Sequence, residues 1–275
     1  MPEVWNAMTV DLEDWFCVYN LKDHIRKDDW DKCESRVVKN TRRLLDLFKR
    51  HEVKSTFFVL GWIADHFPSL IQEICRDEHE IACHGYSHSL LTEMSEESFR
   101  QDLTRALTTT RSISQQQVVG FRAPSFSITP TTTWAFDILT QNGILYDSSV
   151  YPIGFHPDYG MPDSPLSVYR VNDALVEFPM SCALVLNRRI PCSGGGYFRI
   201  LPYAVSRFLF RRINEKERPF VFYIHPWEID PKQPRLPLPF VKRFRHYHNL
   251  EKTFARMDKL LSEFRFTTMR NVLEI

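Results

Sequence analysis

His84 and His88 stand four residues apart in the run Cys83-His84-Gly85-Tyr86-Ser87-His88. On one helical turn that spacing puts both imidazoles on the same face, able to share one metal ion. Asp11, Glu13 and Asp14 place three carboxylates within four residues near the N-terminus. Two histidines and one carboxylate are a common catalytic zinc set that leaves positions for water and substrate. A carboxylate outside that set is a candidate general base for a metal-bound water. The plainer readings are a surface turn with two unrelated histidines, and acids that are solvated or cap a helix, as Asp14 could. Cys83 is the nearest alternative ligand, but on a strand it faces away from His84 and reads as a core thiol.

Three more residues carry the same chemistry. Arg122, in Gly120-Phe121-Arg122-Ala123-Pro124, is suited to keep the base ionised and oriented. Asp147, in Tyr146-Asp147-Ser148-Ser149, is suited to hold a histidine tautomer and stabilise its imidazolium. Taken singly, each reads more simply as half of a structural ion pair. His225 follows the apolar run Phe220–Ile224. A buried core histidine is the plain reading, and a general acid opposite the metal is the sharper one.

The elements that must position these groups follow a βα rhythm. Strands are predicted at Met8–Leu12, Thr56–Leu60, Glu80–Cys83, Val118–Phe121, Ile144–Tyr146, Phe220–Ile224 and Phe266–Met269. Helices are predicted at Arg36–His51, Pro68–Cys75, Ser95–Ser114 and Leu250–Phe264, with another opening at Thr129-Pro130 and closing at Asn142-Gly143. From about Ser148 to Pro202 the rhythm breaks into short apolar pieces punctuated by Pro, Gly and Ser, as in hairpins. Gly194-Gly195-Gly196 lies there and lets backbone approach a ligand closely. The alternation argues a parallel sheet or barrel, whose strand ends gather functional side chains. No linker or internal repeat divides residues 1–275, so a single domain is expected.

Composition narrows the class. The 275 residues carry a net charge of +1, which argues against a nucleic-acid binder working through bulk charge. The 43% hydrophobic and 25% charged content is ordinary for a folded globule. No apolar run approaches the ~20 residues that span a bilayer. Met1–Met8 lacks the features of a signal peptide, and six scattered cysteines read as reduced thiols, so the expected location is the cytoplasm. The basic run Lys242-Arg243-Phe244-Arg245-His246 reads most plainly as a solvated helix start. Its sharper reading is peripheral docking to anionic lipid head groups of the inner membrane, or to a glycan.

In identity and order these segments resemble the polysaccharide deacetylases with a NodB-type domain, carbohydrate esterase family 4. Asp11–Asp14, His84–His88, Arg122–Pro124, Asp147 and Ile224-His225 match its five motifs in turn. Gly194–Arg199, Tyr223–Asp230 and Arg245–Leu250 are similar to a subgroup linked with exosortase-associated exopolysaccharide genes, which carries an added C-terminal region, here about residues 150–275. The resemblance implies an α/β fold, a distorted (β/α) barrel with irregular loop and hairpin insertions in the C-terminal half. It implies zinc or another divalent ion on His84 and His88, Asp11 as base, His225 as acid, Arg122 orienting Asp11 and Asp147 tuning His225. The family's first motif has adjacent aspartates, whereas Leu12 follows Asp11 here. Strand parity favours Glu13 as the metal carboxylate, side-chain type favours Asp14, and both stay open.

The implied reaction is hydrolysis of N-acetyl groups on the hexosamines of a glycan. Trp15, Tyr197, Phe198 and Trp227 are candidates to stack on sugar rings, against the commoner fate of core packing. A small non-sugar amide, as for allantoinase-like relatives, is the alternative in the same class. A non-catalytic glycan-binding protein is the alternative outside it, and a retained base and acid count against it.

Overall fold

The structure is a computed structural model that describes residues 4–154 and 159–275. Eleven strands are described: β1 (Trp5–Leu12), β2 (Thr56–Val59), β3 (Glu80–Cys83), β4 (Gly120–Phe121), β5 (Tyr146–Asp147), β6 (Tyr169–Arg170), β7 (Val176–Glu177), β8 (Cys182–Val185), β9 (Arg188–Pro191), β10 (Val221–Ile224) and β11 (Arg265–Thr267). Ten α-helices connect and cover them: α1 (Val37–Arg50), α2 (Gly61–His66), α3 (Pro68–Arg76), α4 (Glu96–Ser114), α5 (Ala135–Gln141), α6 (Gly195–Ile200), α7 (Tyr203–Asn214), α8 (Phe240–Tyr247), α9 (Leu250–Glu263) and α10 (Met269–Leu273).

Strands β10, β1, β2, β3, β4, β5, β7 and β6 lie side by side in that order in one curled sheet, and β11 also pairs with β1. Every pairing in it is parallel except β6 with β7. The fold is thus the α/β distorted half-barrel type, with hairpins β6–β7 and β8–β9 in the second half.

The two faces of the sheet divide as the two-residue period requires. Met8, Val10, Leu12, Phe57, Val59, Ile81, Cys83, Phe222 and Ile224 pack with the helices in the larger core. Ala7, Phe58, Ala82, Tyr146, Val221 and Tyr223 fill the concave side in a smaller one. Asp11 shares parity with Ala7 and so faces the concavity. Cys83 lies in the outer core, as its position next to His84 predicts.

Some expectations shift. Four threonines among residues 129–133 delay the fifth helix to Ala135. Thr132 Oγ1 accepts from Thr129 N at 2.8 Å, a side-chain turn that competes with the helix. The glycines at 194 and 195 accommodate protein rather than ligand. Their φ values are +134° and +51°, and a Cβ on either would collide with Tyr223 of β10.

Candidate active site

The ends of β1, β3, β4 and β10 converge on the site. β1 runs straight into Asp11 and, one residue past its end, Glu13. β3 ends at Cys83 and delivers His84 directly. His88 is not on a helical turn, contrary to the spacing argument. It sits in a loop with Gly85 at φ +70° and His88 itself at +53°. Asp102 of α4 holds that loop by accepting from Tyr86 N at 2.7 Å and Ser87 N at 3.1 Å. The loop turns the second imidazole back to the first, with ring centroids 5.5 Å apart.

Glu13 Oε1 lies 3.1 Å from His84 Nε2 and 2.9 Å from His88 Nε2, and all three side chains are buried. Burial opposes the Glu13 charge, but His88, His225 and hydrogen bonds from His84 and His88 outweigh it and hold the carboxyl well below its usual range. The three donor atoms lie within 4.8 Å of one another, a group that fits one divalent ion. The His84 tautomer supports that fit. Its Nδ1 lies 2.7 Å from the Arg122 carbonyl, which can only accept. Nδ1 therefore carries a proton, which leaves Nε2, facing Glu13, as the ring nitrogen placed to ligate an ion.

Asp14 does not join this group. Its Oδ1 accepts from Trp15 N at 2.8 Å, and its Oδ2 from Ser35 Oγ, Arg36 N and Val37 N at 2.6, 2.8 and 3.0 Å. Both oxygens are thus spent on capping the turn after β1 and the start of α1, which corrects the option of Asp14 as ligand. Burial, against these hydrogen bonds, raises its pKa.

Asp11 is held as the sequence suggests. Arg122, fully buried, donates from Nη1 to Asp11 Oδ1 at 2.6 Å and to Thr9 Oγ1 at 2.8 Å. Its Nε and Nη2 reach the backbone and hydroxyl oxygens of Ser148 at 3.1 Å each, and the guanidinium lies 4.0 Å over the Phe58 ring.

Asp147 is not beside His225. It accepts from Ser149 Oγ at 2.6 Å, and Ser149 Oγ accepts from Ala123 N at 2.7 Å, so Asp147 braces the segment after Arg122. It lies opposite Glu177 in the β5–β7 register. Burial raises both carboxyls, and Asp147 adds to the effect on Glu177.

The partner of His225 is Glu228, which sequence reasoning missed. Glu228 Oε1 lies 2.7 Å from His225 Nδ1 and accepts from His225 N at 3.1 Å. Behind it Arg199 donates from Nε to Glu228 Oε2 at 2.6 Å. Burial works against the Glu228 charge, but Arg199 and then His225 overcome it and bring the carboxyl down to about 2. The ionised carboxylate fixes the proton on Nδ1 and turns Nε2 toward Glu13 and Asp11, at 3.6 and 3.9 Å. Burial favours the neutral ring, but Glu13, Glu228 and Asp11 prevail and lift His225 to about 9. Glu228 was legible as the third residue of a turn begun by His225-Pro226, where an acid reaches back to the first N–H. Arg199 closes the subgroup-like segment Gly194–Arg199, but no spacing there links it to Glu228.

These groups open on one cleft. Its volume is about 1050 Å³ counted out to open solvent. Asp11, Glu13, His88 and His225 form part of its lining, and Tyr197 and Trp227 stand in its walls. Trp227 lies flat between His225 and His246, at 5.2 and 4.6 Å. Trp15 and Phe198 are core residues instead, Phe198 packing on Phe222 at 4.9 Å.

Comparison with known proteins agrees with this arrangement. Residues 28–144 match the polysaccharide deacetylase family, and residues 148–274 match a domain of unknown function (DUF3473). A peptidoglycan-N-acetylglucosamine deacetylase of Bacillus cereus is 38% identical over 65 residues, 24% of this chain and 24% of that protein. The matched stretches span 24%, 32% and 39% of the first three curated relatives. A crystal structure from Mycobacterium smegmatis, described as a polysaccharide deacetylase, superposes with a TM-score of 0.61 at 22% identity, covering 100% of this chain and 91% of that one. Puue allantoinase superposes with a TM-score of 0.60 at 14% identity, covering 98% and 88%. At such identity these likenesses speak to the fold. His84, His88 and Arg122 fall in the first matched segment, Glu228 and Arg199 in the second, and Asp11 and Glu13 precede both. The chain is thus similar to the polysaccharide deacetylase family over residues 28–144 and to a DUF3473 domain over residues 148–274.

Proposed function

We propose that the chain is a metal-dependent hydrolase removing N-acetyl groups from hexosamine residues of a glycan. The observation that carries this reading is the juxtaposition of a Glu13–His84–His88 metal group with an Arg122-held carboxylate and a Glu228-held imidazole on one cleft. The B. cereus relative's description and the family match support the reaction class. A divalent ion, zinc being the first choice for two imidazoles and a carboxylate, would supply a Lewis acid and an acidified water.

The chain's own groups do the proton work. Arg122 occupies Asp11 Oδ1 and leaves Oδ2 to accept a proton from the attacking water. Water oxygen bonds to the acetyl carbon, and the C–N bond breaks. His225 Nε2 gives its proton to the departing amine, and Glu228 stabilises the imidazolium beforehand. Acetate and an amino sugar are the products. Tyr197, partly exposed in the cleft wall, offers ring surface to a sugar, while the buried Trp227 ring is occupied by His225 and His246. We place the reaction in exopolysaccharide biosynthesis, on the subgroup-like segments around Arg199, Glu228 and Arg245. The six free thiols suit a reducing compartment, the cytoplasm.

Elemental analysis together with acetate release from an N-acetylglucosamine oligomer tests this. Wild type should hold about one divalent ion per chain and release acetate. His84→Ala should lose the ion, and Asp11→Asn should keep it but release no acetate. Metal without acetate release moves the substrate to a small amide. No metal after reconstitution refutes the reading in favour of a glycan-binding protein.

A further inference from the structure

Helix α8 carries a concentrated apolar exposure. Phe240 is 71% exposed, Val241 65% and Phe244 41%. At helical spacing these three share one side of the helix, His246 is buried on the opposite side, and Tyr247 is buried in the last turn. The helix also carries Lys242, Arg243 and Arg245 and no acid. Lys242 meets Asp23 at 3.0 Å on the surface, and Arg243 lies 6.0 Å over the Phe240 ring. The helix stands at the cleft, whose lining includes Arg245, His246 and, from the adjacent α6, the partly exposed Ile200.

We propose that α8 docks the protein on an anionic lipid surface, with Phe240, Val241 and Phe244 entering the head-group layer. Lys242 and Arg243 then meet lipid phosphates. An apolar edge on a helix that itself carries three cations and no acid is what such a surface selects, since burial and charge attraction add, and Lys242 exchanges Asp23 for a lipid phosphate. A glycan fits this face less well. Val241 offers no ring to a sugar, and neither Phe nor Val can hydrogen-bond a hydroxyl. The Phe244 ring already packs at a tilt against His248, at 4.4 Å. A second copy of the chain fits less well again, because a two-fold contact through α8 sets the same cations against each other. Docking itself does not depend on the deacetylase reading. Its consequence for catalysis, a cleft brought to a lipid-linked glycan, does.

Co-sedimentation with vesicles of phosphatidylcholine, with and without phosphatidylglycerol, tests the docking. Wild type should pellet with the anionic vesicles and be weakened at about 1 M salt, where screening acts over ~3 Å. The double variant Phe240→Ser/Val241→Ser should bind about tenfold or more weakly, with unchanged circular dichroism. Lys242→Gln/Arg243→Gln should lose the preference for anionic lipid. Failure of wild type to pellet overturns the proposal, as does equal pelleting of wild type and the serine variant. If that variant instead loses affinity for a soluble N-acetylglucosamine oligomer, the face binds glycan. If it abolishes a dimer seen by light scattering, the face joins two copies. Acetate release plays no part in these readouts, so a failed deacetylase reading leaves them intact.

Discussion

Two buried arginines each hold a carboxylate, one in each matched half of the chain, and they are anchored differently. Arg122 is fixed by the ends of strands, through Thr9, Ser148 and the ring of Phe58. Arg199 is fixed by backbone carbonyls at the end of α8: those of Arg245, His246 and His248 at 2.8, 3.1 and 3.0 Å. The first carboxylate, Asp11, faces the cleft itself. The second, Glu228, faces a histidine that faces the cleft. The comparison teaches a division of labour. The first half supplies Asp11, Glu13, His84, His88 and Arg122, and the second half supplies His225 with Glu228 and Arg199 behind it.

Removing each guanidinium is the strongest way to break this comparison. Arg122→Met and Arg199→Met should each strand a buried charge and cost on the order of 3–5 kcal/mol, read from urea unfolding. An Arg199→Met chain as stable as wild type would show that the second buried pair contributes nothing to holding the fold.

Acid sharpens the comparison, because each half buries one neutral histidine. Burial, aided by Lys54, lowers His79 to about 4, and burial, aided by Arg199, lowers His246 to about 3. Unfolded, both titrate near 6.5. Below that pH the unfolded chain takes up protons that the folded one refuses. Their contribution is therefore complete above about pH 6.5 and is lost as the pH falls toward 4, by roughly 3 kcal/mol each. Melting curves across this range should show His79→Gln and His246→Gln each removing part of the slope.

A smaller effect is expected at the metal loop. Asp102→Ala takes the acceptor from two backbone N–H groups and should cost about 1–3 kcal/mol. It should also raise the apparent dissociation constant for zinc, measured by competition with a chelator. The smallest effect falls at Glu177. Burial and Asp147 push its carboxyl well above the usual range, toward the neutral form that Gln mimics, so Glu177→Gln should change stability by less than about 1 kcal/mol. Asp147→Ala, which removes the brace on Ser149, should cost more in the same unfolding assay.

The parts of the site legible in the sequence are those where local order and chemistry coincide. Asp11, His84, Arg122 and His225 each follow a strand whose apolar run announces it, so convergence at one end of a parallel sheet is expected. The choice of Glu13 over Asp14 was half legible. Parity favoured Glu13, but only the chain path shows Asp14 spent on N–H groups of residues 36 and 37. Asp147 misled because the family pattern fixes its place in order, not its neighbours. Arg199 was not legible, since its partners lie across a turn and a helix end that no periodicity links to it. Helices α6 and α8 were hidden for a related reason, being pieces of six and eight residues that begin at Gly and after Pro.

Strand β1 carries Asp11 and leads straight into Glu13, and three partners hold it. Ala7 pairs opposite Val221, Asn6 opposite Phe266, and Asp11 opposite Phe58. Two of those partners are made long after β1 leaves the ribosome. A nascent chain that ends before β10 therefore exposes β1 as an unpaired, apolar edge, prone to pair with the wrong strand. Loop closure of this length makes folding slow. Competence to bind metal should arrive late in synthesis, in one step, when β10 and β11 close on the first strand.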